Sequence, residues 1–345
     1  MRSDEPRERS DAWASSLPHV LRADSFATFP HLPHHAASCW PRSSRRVSIG
    51  ATRRCKETAQ ADRGQGGMIK SILVGIDGSE HARTALRYAT WLARRLDATV
   101  TGLHVVDIVS IEGSFFHDIS GSLGFEPYLD FTSKMREALQ ERGAALLDEF
   151  RGTCASEGVR CDTALQIGIV PSEICERARE TDLVVIGHRG VNQRFSTGLL
   201  GGAAESVTRQ CPKPVLVTPL AFSEIRSPVL AYDGSQRAAA AMQVAAEVCS
   251  QLSLPLAVLT VCREMDQGEK ILDQARRYLS SYAIETNFYA ITGHAYESIP
   301  NEIGAKSYDL VFMGSHGHGR IIELVLGSTT EYVLRNAPCP VFLNR

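Results

Sequence analysis

From Met68 onward the sequence repeats itself. Ile72-Leu-Val-Gly-Ile-Asp77-Gly78-Ser79 returns as Val229-Leu-Ala-Tyr-Asp233-Gly234-Ser235, and Asp182-Leu-Val-Val-Ile-Gly187-His-Arg-Gly190 returns as Asp309-Leu-Val-Phe-Met-Gly314-Ser-His-Gly317. A Cys-Pro dipeptide and an apolar run close each copy, at Cys211 and at Cys339. Three matches in the same order point to one duplicated domain, so any fold proposed for the first half must also suit the second.

Within each copy, short β-branched runs alternate with helical segments, the pattern of a parallel sheet covered by helices, so the fold class is α/β. The first copy predicts strands over Ile72–Ile76, Thr99–Val105, Cys161–Ile167, Leu183–Ile186 and Pro214–Val217. Helices are predicted from about Glu80 to Leu96, Ser133 to Ser156, Val170 to Thr181 and from about Ala203. The second copy predicts strands near Val229–Tyr232, Leu256–Val261, Thr286–Ile291, Leu310–Met313 and Val341–Leu343. The domains are expected to span 68–219 and 228–345, joined by the linker Pro219–Pro228. The first copy is longer, and its surplus falls after the second strand, around 109–132. That loop leaves the carboxyl end of a strand, where ligands bind in α/β sheets; a lid, a partner surface and a tolerated surface insertion all fit. Residues 1–67, rich in Arg, Ser and Pro, hold no sustained period and are expected to be a disordered tail or to precede the true translation start.

Composition excludes several classes. The formal net charge is -2, which gives no general attraction to nucleic acid or to an anionic membrane. No apolar run approaches the roughly 18–20 residues of a membrane helix. The 9 cysteines are scattered singly, without the paired spacing of a zinc site, and read as reduced thiols in a cytoplasmic protein.

The chemistry concentrates near the end of the second copy. Gly314 and Gly317 follow a strand, and Gly327-Ser328-Thr329 opens the last helix. Glycines let the main chain approach a ligand closely, and helix N-termini present unpaired N–H groups that suit phosphate. A plainer reading stands beside this one. Ser328-x-x-Glu331 is a capping box, which stabilises a helix by about 0.5–2 kcal/mol without any ligand. The spacing is neither that of a P-loop nor that of a dinucleotide fingerprint.

Gly314-x-x-Gly317, nine residues, then Gly327-Ser328 resembles the glycine motif of the universal stress proteins, as do Asp233-Gly234-Ser235 and the closing Cys339-Pro-Val-Phe-Leu. The resemblance covers both copies and implies two tandem Rossmann-like domains. Each would be a five-stranded parallel sheet of order 3-2-1-4-5 with helices on both faces. It implies ATP as ligand, with Mg²⁺. Asp233 would lie near ribose and base, Ala231, Val261 and Met313 would line the base pocket, and Gly314, Gly317, Gly327, Ser328 and the Thr329 amide would hold ribose and phosphates. It also implies a pseudo-dimer within the chain, Val341–Leu343 pairing with Val215–Val217; pairing of whole chains stays open. A plain Asp-Gly turn is the bland account of Asp233.

The first copy keeps Asp77, Gly187 and Gly190 but departs later: ten residues precede Gly201, and Gly202 stands where the serine would be. Asp77, Val105, Gly187, Gly190, Gly201 and Gly202 are therefore weaker candidates for a second nucleotide site, with Arg189 and Arg194 available to compensate by charge. His188, His316 and His318 sit in or beside the glycine loops and are read as packing or phosphate-side groups rather than catalysts, and His104 as a partly buried histidine. The expected function is nucleotide-dependent regulation in a stress response. A slow ATPase or phosphotransfer enzyme and a nucleotide-free scaffold are the alternatives.

Overall fold

The computed structural model describes residues 68–107, 128–191, 200–315 and 326–345. The first copy runs β1 (Ser71–Gly75), α1 (Glu80–Leu96), β2 (Thr99–Asp107), α2 (Tyr128–Ser156), β3 (Cys161–Gly168), α3 (Val170–Ala178), β4 (Leu183–Gly187), α4 (Gly202–Gln210) and β5 (Val215–Thr218). The second runs β6 (Pro228–Ala231), α5 (Gln236–Leu252), β7 (Leu256–Cys262), α6 (Met265–Leu279), β8 (Thr286–Thr292), α7 (Ala295–Lys306), β9 (Leu310–Gly314), α8 (Ser328–Asn336) and β10 (Val341–Asn344). Every expected strand is present, within a residue or two at each end.

The strands form one sheet of order β3-β2-β1-β4-β5-β10-β9-β6-β7-β8. Each half is parallel in the order 3-2-1-4-5, and the halves join where β5 and β10 run antiparallel, with Phe342 opposite Leu216. The expected strand pairing between copies is therefore what the structure has.

Alternation along the strands supplies both faces of this sheet with apolar side chains. Ile72 and Val74 pack on one side with α1, α2, α5 and α6, through Leu92, Phe150, Ala245 and Leu272. Leu73 and Val184 pack on the other with α3, α4, α7 and α8, through Ile174, Val207, Ile303 and Val333. Both layers continue across the junction between copies. Asp182 and Asp309 play the same part in the two copies. The Asp182 carboxylate accepts the Lys70 and Ser71 amides, and that of Asp309 accepts the Arg226 and Ser227 amides, which fastens the start of strand four to the start of strand one. Burial pushes the Asp309 carboxyl above its ordinary range, against the pull of those amides.

The segment 219–227 lies along α1: Thr84 donates to the Leu220 carbonyl at 2.6 Å, the Ser223 amide donates to the Tyr88 hydroxyl, and the Arg87 guanidinium sits 4.5 Å above the Phe222 ring. In the insertion, residues 108–127 and the tail 1–67 lie outside the described residues; from Tyr128 the chain is already helix, so α2 begins earlier than expected.

One sequence match needs correction. Cys211 is the C-cap of α4, but the C-cap of α8 is Ala337, and Cys339 comes two residues later. The Cys-Pro dipeptides are thus out of register. Prolines alternate at 212 and 214 and at 338 and 340, which lets the dipeptide match at the wrong one. Among the described residues no helix is long and apolar enough to cross a membrane.

Candidate functional site

In both copies the turn after strand one is built the same way. The Asp77 carboxylate accepts the Ser79 amide at 2.9 Å and that of Asp233 accepts the Ser235 amide at 2.9 Å, around glycines at φ +81° and +78°. These are Asx turns, and each glycine supplies the left-handed conformation they need. The next residue, Ser79 or Ser235, caps the following helix by accepting from Ala82 or Ala238. The plain turn reading of Asp233 is therefore correct as far as it goes, and the turn holds the carboxylate at the carboxyl end of β6.

The last helix of each copy starts differently. Gly327, in extended conformation, is the N-cap of α8, and no side chain caps that helix; Ser328 is its first helical residue. The capping-box expectation is overturned. A serine accepts from the helix amides only from the cap position itself, and here glycine occupies it. The Gly327 amide donates to the Ser315 carbonyl at 3.2 Å, and the Thr330 hydroxyl to the Gly314 carbonyl at 3.1 Å, so the helix start is tied to the strand-four loop. In the first copy Gly201 is likewise an uncapped N-cap whose amide donates to the His188 carbonyl.

These elements enclose a cleft of about 290 Å³ in the second domain. Ala231, Asp233, Val261, Met313, Gly314, Gly327, Ser328 and Thr329 all line it. Gly317 lies outside the described residues. Leu259, Ala295, Ile299 and Thr330 also line the cleft and were not anticipated. Ile299 and Ala295 come from α7, four residues apart on one helical face, a signal that periodicity carries but motif spacing does not.

The first domain's cleft is larger, about 600 Å³. Asp77, Val105, Gly187, Gly190, Gly201 and Gly202 all line it, joined by Arg189 and by Leu139 and Arg142 of α2. Arg194 lies outside the described residues. The second carboxylate oxygen of Asp77 accepts the Val191 amide, and a Cβ on Gly190 would come within 2.7 Å of it, so the glycine loop is drawn onto the aspartate.

Two of the motif glycines have a reason independent of any ligand. A Cβ on Gly187 would stand 2.7 Å from the His81 Cβ and 2.9 Å from its carbonyl carbon, and one on Gly314 2.8 Å from the Arg237 carbonyl carbon. The first turn of α1 or α5 lies against each position.

The histidines find structural partners. His104 donates from Nδ1 to the Ile76 carbonyl at 2.7 Å, the place taken in the second copy by the Thr260 hydroxyl on the Tyr232 carbonyl. His188 reaches out of its own domain, its Nε2 2.8 Å from the Leu334 carbonyl of α8. Burial lowers the pKa of His188 below 6.5, opposed by that hydrogen bond and reinforced by the Arg189 charge. His81, with ring centroids 6.4 Å from His188, is lowered by burial too. His316 and His318 lie outside the described residues.

A family model described as the universal stress protein family matches residues 68–219 and again 226–345. The chain is 30% identical over 287 residues to the universal stress protein Slr1230 of Synechocystis sp., covering 80% of this chain and 100% of that protein. Its fold resembles the crystal structure of a universal stress protein from Archaeoglobus fulgidus, with a TM-score of 0.63 at 22% identity, over 80% of this chain and 98% of that one. A second crystal structure, of a putative universal stress protein from Pseudomonas aeruginosa, aligns with a TM-score of 0.57 at 18% identity, over 80% and 93%.

Proposed function

This chain belongs to the universal stress protein family, and on that premise we propose that its second domain binds ATP and that occupancy of the cleft acts as a regulatory signal. The observation that carries the proposal is the uncapped start of α8 beside Asp233. Several helices of the chain start without a side-chain cap; at α8 the N-cap is a glycine, and Gly327, Ser328 and Thr329 line the same cleft as Asp233. Amides at a helix start suit phosphate oxygens. The apolar lining at Ala231, Val261 and Met313 suits a flat base, and the Asp233 carboxylate suits the hydroxyls of a sugar. Any Mg²⁺ is expected to ride on the phosphates, because among the described residues no three His, Cys, Asp or Glu side chains converge.

Regulation follows from linkage. A nucleotide that ties α8 to β6 and β9 favours whichever arrangement of the two domains keeps those elements in place, and a ligand shifts states only through such differential affinity.

The test is purification without added nucleotide, denaturation, and identification of any released adenine compound, repeated with Gly327→Glu. The glutamate brings negative charge to the helix start and competes for its amides. Losing at least two charge-assisted bonds of about 1.5–3 kcal/mol each lowers Mg·ATP affinity by about a hundredfold or more. Full retention of the nucleotide by a folded Gly327→Glu protein would assign the ligand elsewhere.

A further inference from the structure

The first domain carries a pair of thiols that the second domain lacks. Cys175 lies on α3 and Cys211 is the C-cap of α4; the two helices pack against each other, Cys175 packs against the apolar cluster that holds Cys211, and the two thiols act on each other. The Lys213 amide and the positive charges of Arg345 and Lys213 act on the Cys211 sulfur. Arg345 belongs to the other domain. It follows β10, which runs antiparallel to β5 and so brings the end of the second domain alongside the start of β5. Superposing the copies element by element puts Pro300 and Ala337 at the corresponding positions of α7 and α8. The thiol pair was therefore gained or kept by one copy alone. All seven described cysteines are free thiols.

From this juxtaposition we propose that Cys175 and Cys211 form a redox-active dithiol that a peroxide closes to a disulfide, pinning α3 to α4 beside the first domain's cleft. Both helices line that cleft: Val170, Pro171 and Ile174 from α3, Gly202 and Ala203 from α4. Cys211 is buried, at 1% exposure, while Cys175 is half-buried and opens the pair toward solvent. The neighbouring Cys175 thiol, with the Lys213 amide and the nearby cations, lowers the Cys211 pKa against the opposing effect of burial. The Cys211 thiolate attacks one oxygen of hydrogen peroxide. The O–O bond breaks, and the departing hydroxide takes up the proton that Cys211 gave to solvent, leaving a sulfenic acid on Cys211. The Cys175 sulfur attacks that sulfur, the S–S bond forms, the S–O bond breaks, and the Cys175 proton leaves in the second water. Two thiols and one peroxide yield one disulfide and two waters.

The pair Cys154 and Cys161, on the other face of the sheet, is an internal contrast. These thiols also act on each other, but burial pushes the Cys154 thiol up to about 12, and no cation acts on it. It is expected to remain reduced when Cys175 and Cys211 have reacted.

The experiment treats the full-length reduced protein with hydrogen peroxide, blocks remaining thiols, and maps disulfide-linked peptides by mass spectrometry. Hydrogen exchange is followed in parallel on segments 170–178 and 202–210. The expected result is the loss of two titratable thiols and a Cys175–Cys211 linked peptide that dithiothreitol removes. Exchange in both segments slows in the oxidised protein and is restored on reduction. Cys175→Ser and Cys211→Ser each abolish the linked peptide, and the wild-type map stands whether or not those variants fold. Recovery of Cys175 and Cys211 as free thiols, as sulfinic acids, or linked to other cysteines overturns the dithiol. A linked peptide with unchanged exchange overturns the pinning of the two helices.

Discussion

The two clefts share a frame and differ at its ends. In each, an aspartate at the end of strand one accepts the amide two residues on, a serine then caps the next helix, and a glycine ends strand four against that helix's first turn. Beyond this frame, the second domain places Ser328 and Thr329 at the start of its last helix around a cleft of about 290 Å³. The first places Gly202 and Ala203 there, adds Arg142 and Arg189, and surrounds about 600 Å³. The residues that build the turns and the strand-four packing are the same in both copies, while other residues lining the clefts differ. A motif that mixes the two kinds of residue therefore overstates what it says about binding.

The largest effect that would sharpen this comparison concerns the shared glycines. Gly187→Ala and Gly314→Ala should each destabilise the protein by about 1–3 kcal/mol, since the new Cβ meets backbone rather than a flexible side chain end. Urea unfolding without nucleotide measures it. Unchanged midpoints would mean that these glycines serve a ligand alone, and the shared frame would lose a member.

Next comes His188, which the first domain aims across the junction. Its folded pKa lies below 6.5, so on acidification the unfolded chain takes up the proton first, and folding stability falls as pH drops through about 6.5. In denaturation curves between about pH 7.5 and 5, His188→Asn should flatten this slope, leaving the dependence from His81. An unchanged slope would remove His188 from the junction's energetics.

The smallest effect tests the departure itself. A Cβ on Gly202 meets nothing within 4 Å, so Gly202→Ser restores the missing hydroxyl without a clash. One added hydrogen bond of about 0.5–1.5 kcal/mol should raise any nucleotide affinity of the first domain about two- to tenfold, read by calorimetry in a Gly327→Glu background. No gain would show that the first cleft has taken up a different ligand chemistry.

Much of this was legible in the residues because it is local. Asp-Gly-Ser spells an Asx turn followed by a cap, and β-branched runs between amphipathic segments spell a parallel sheet. The resemblance to a known family then supplied the strand order. Three things were not legible. A capping box names four residues but does not say which is the first in the helix, and at Ser328 the backbone chose the other answer. Alternating prolines hid a two-residue slip between Cys211 and Cys339. The partner of His188 is 146 positions away, and the Cys175–Cys211 contact likewise exists only once α3 and α4 have packed. No local pattern reports either.

The antiparallel seam of β5 and β10 has a consequence for how the molecule behaves in the cell. Two separate chains joined by such an edge would part on dilution, and their pairing would track how much of each is made. Here a covalent tether laid along α1 keeps both edges at fixed proximity, so the join is a unimolecular event governed by effective rather than bulk concentration. Scarcity of the protein cannot undo it, and each unlike cleft always has the other for its neighbour.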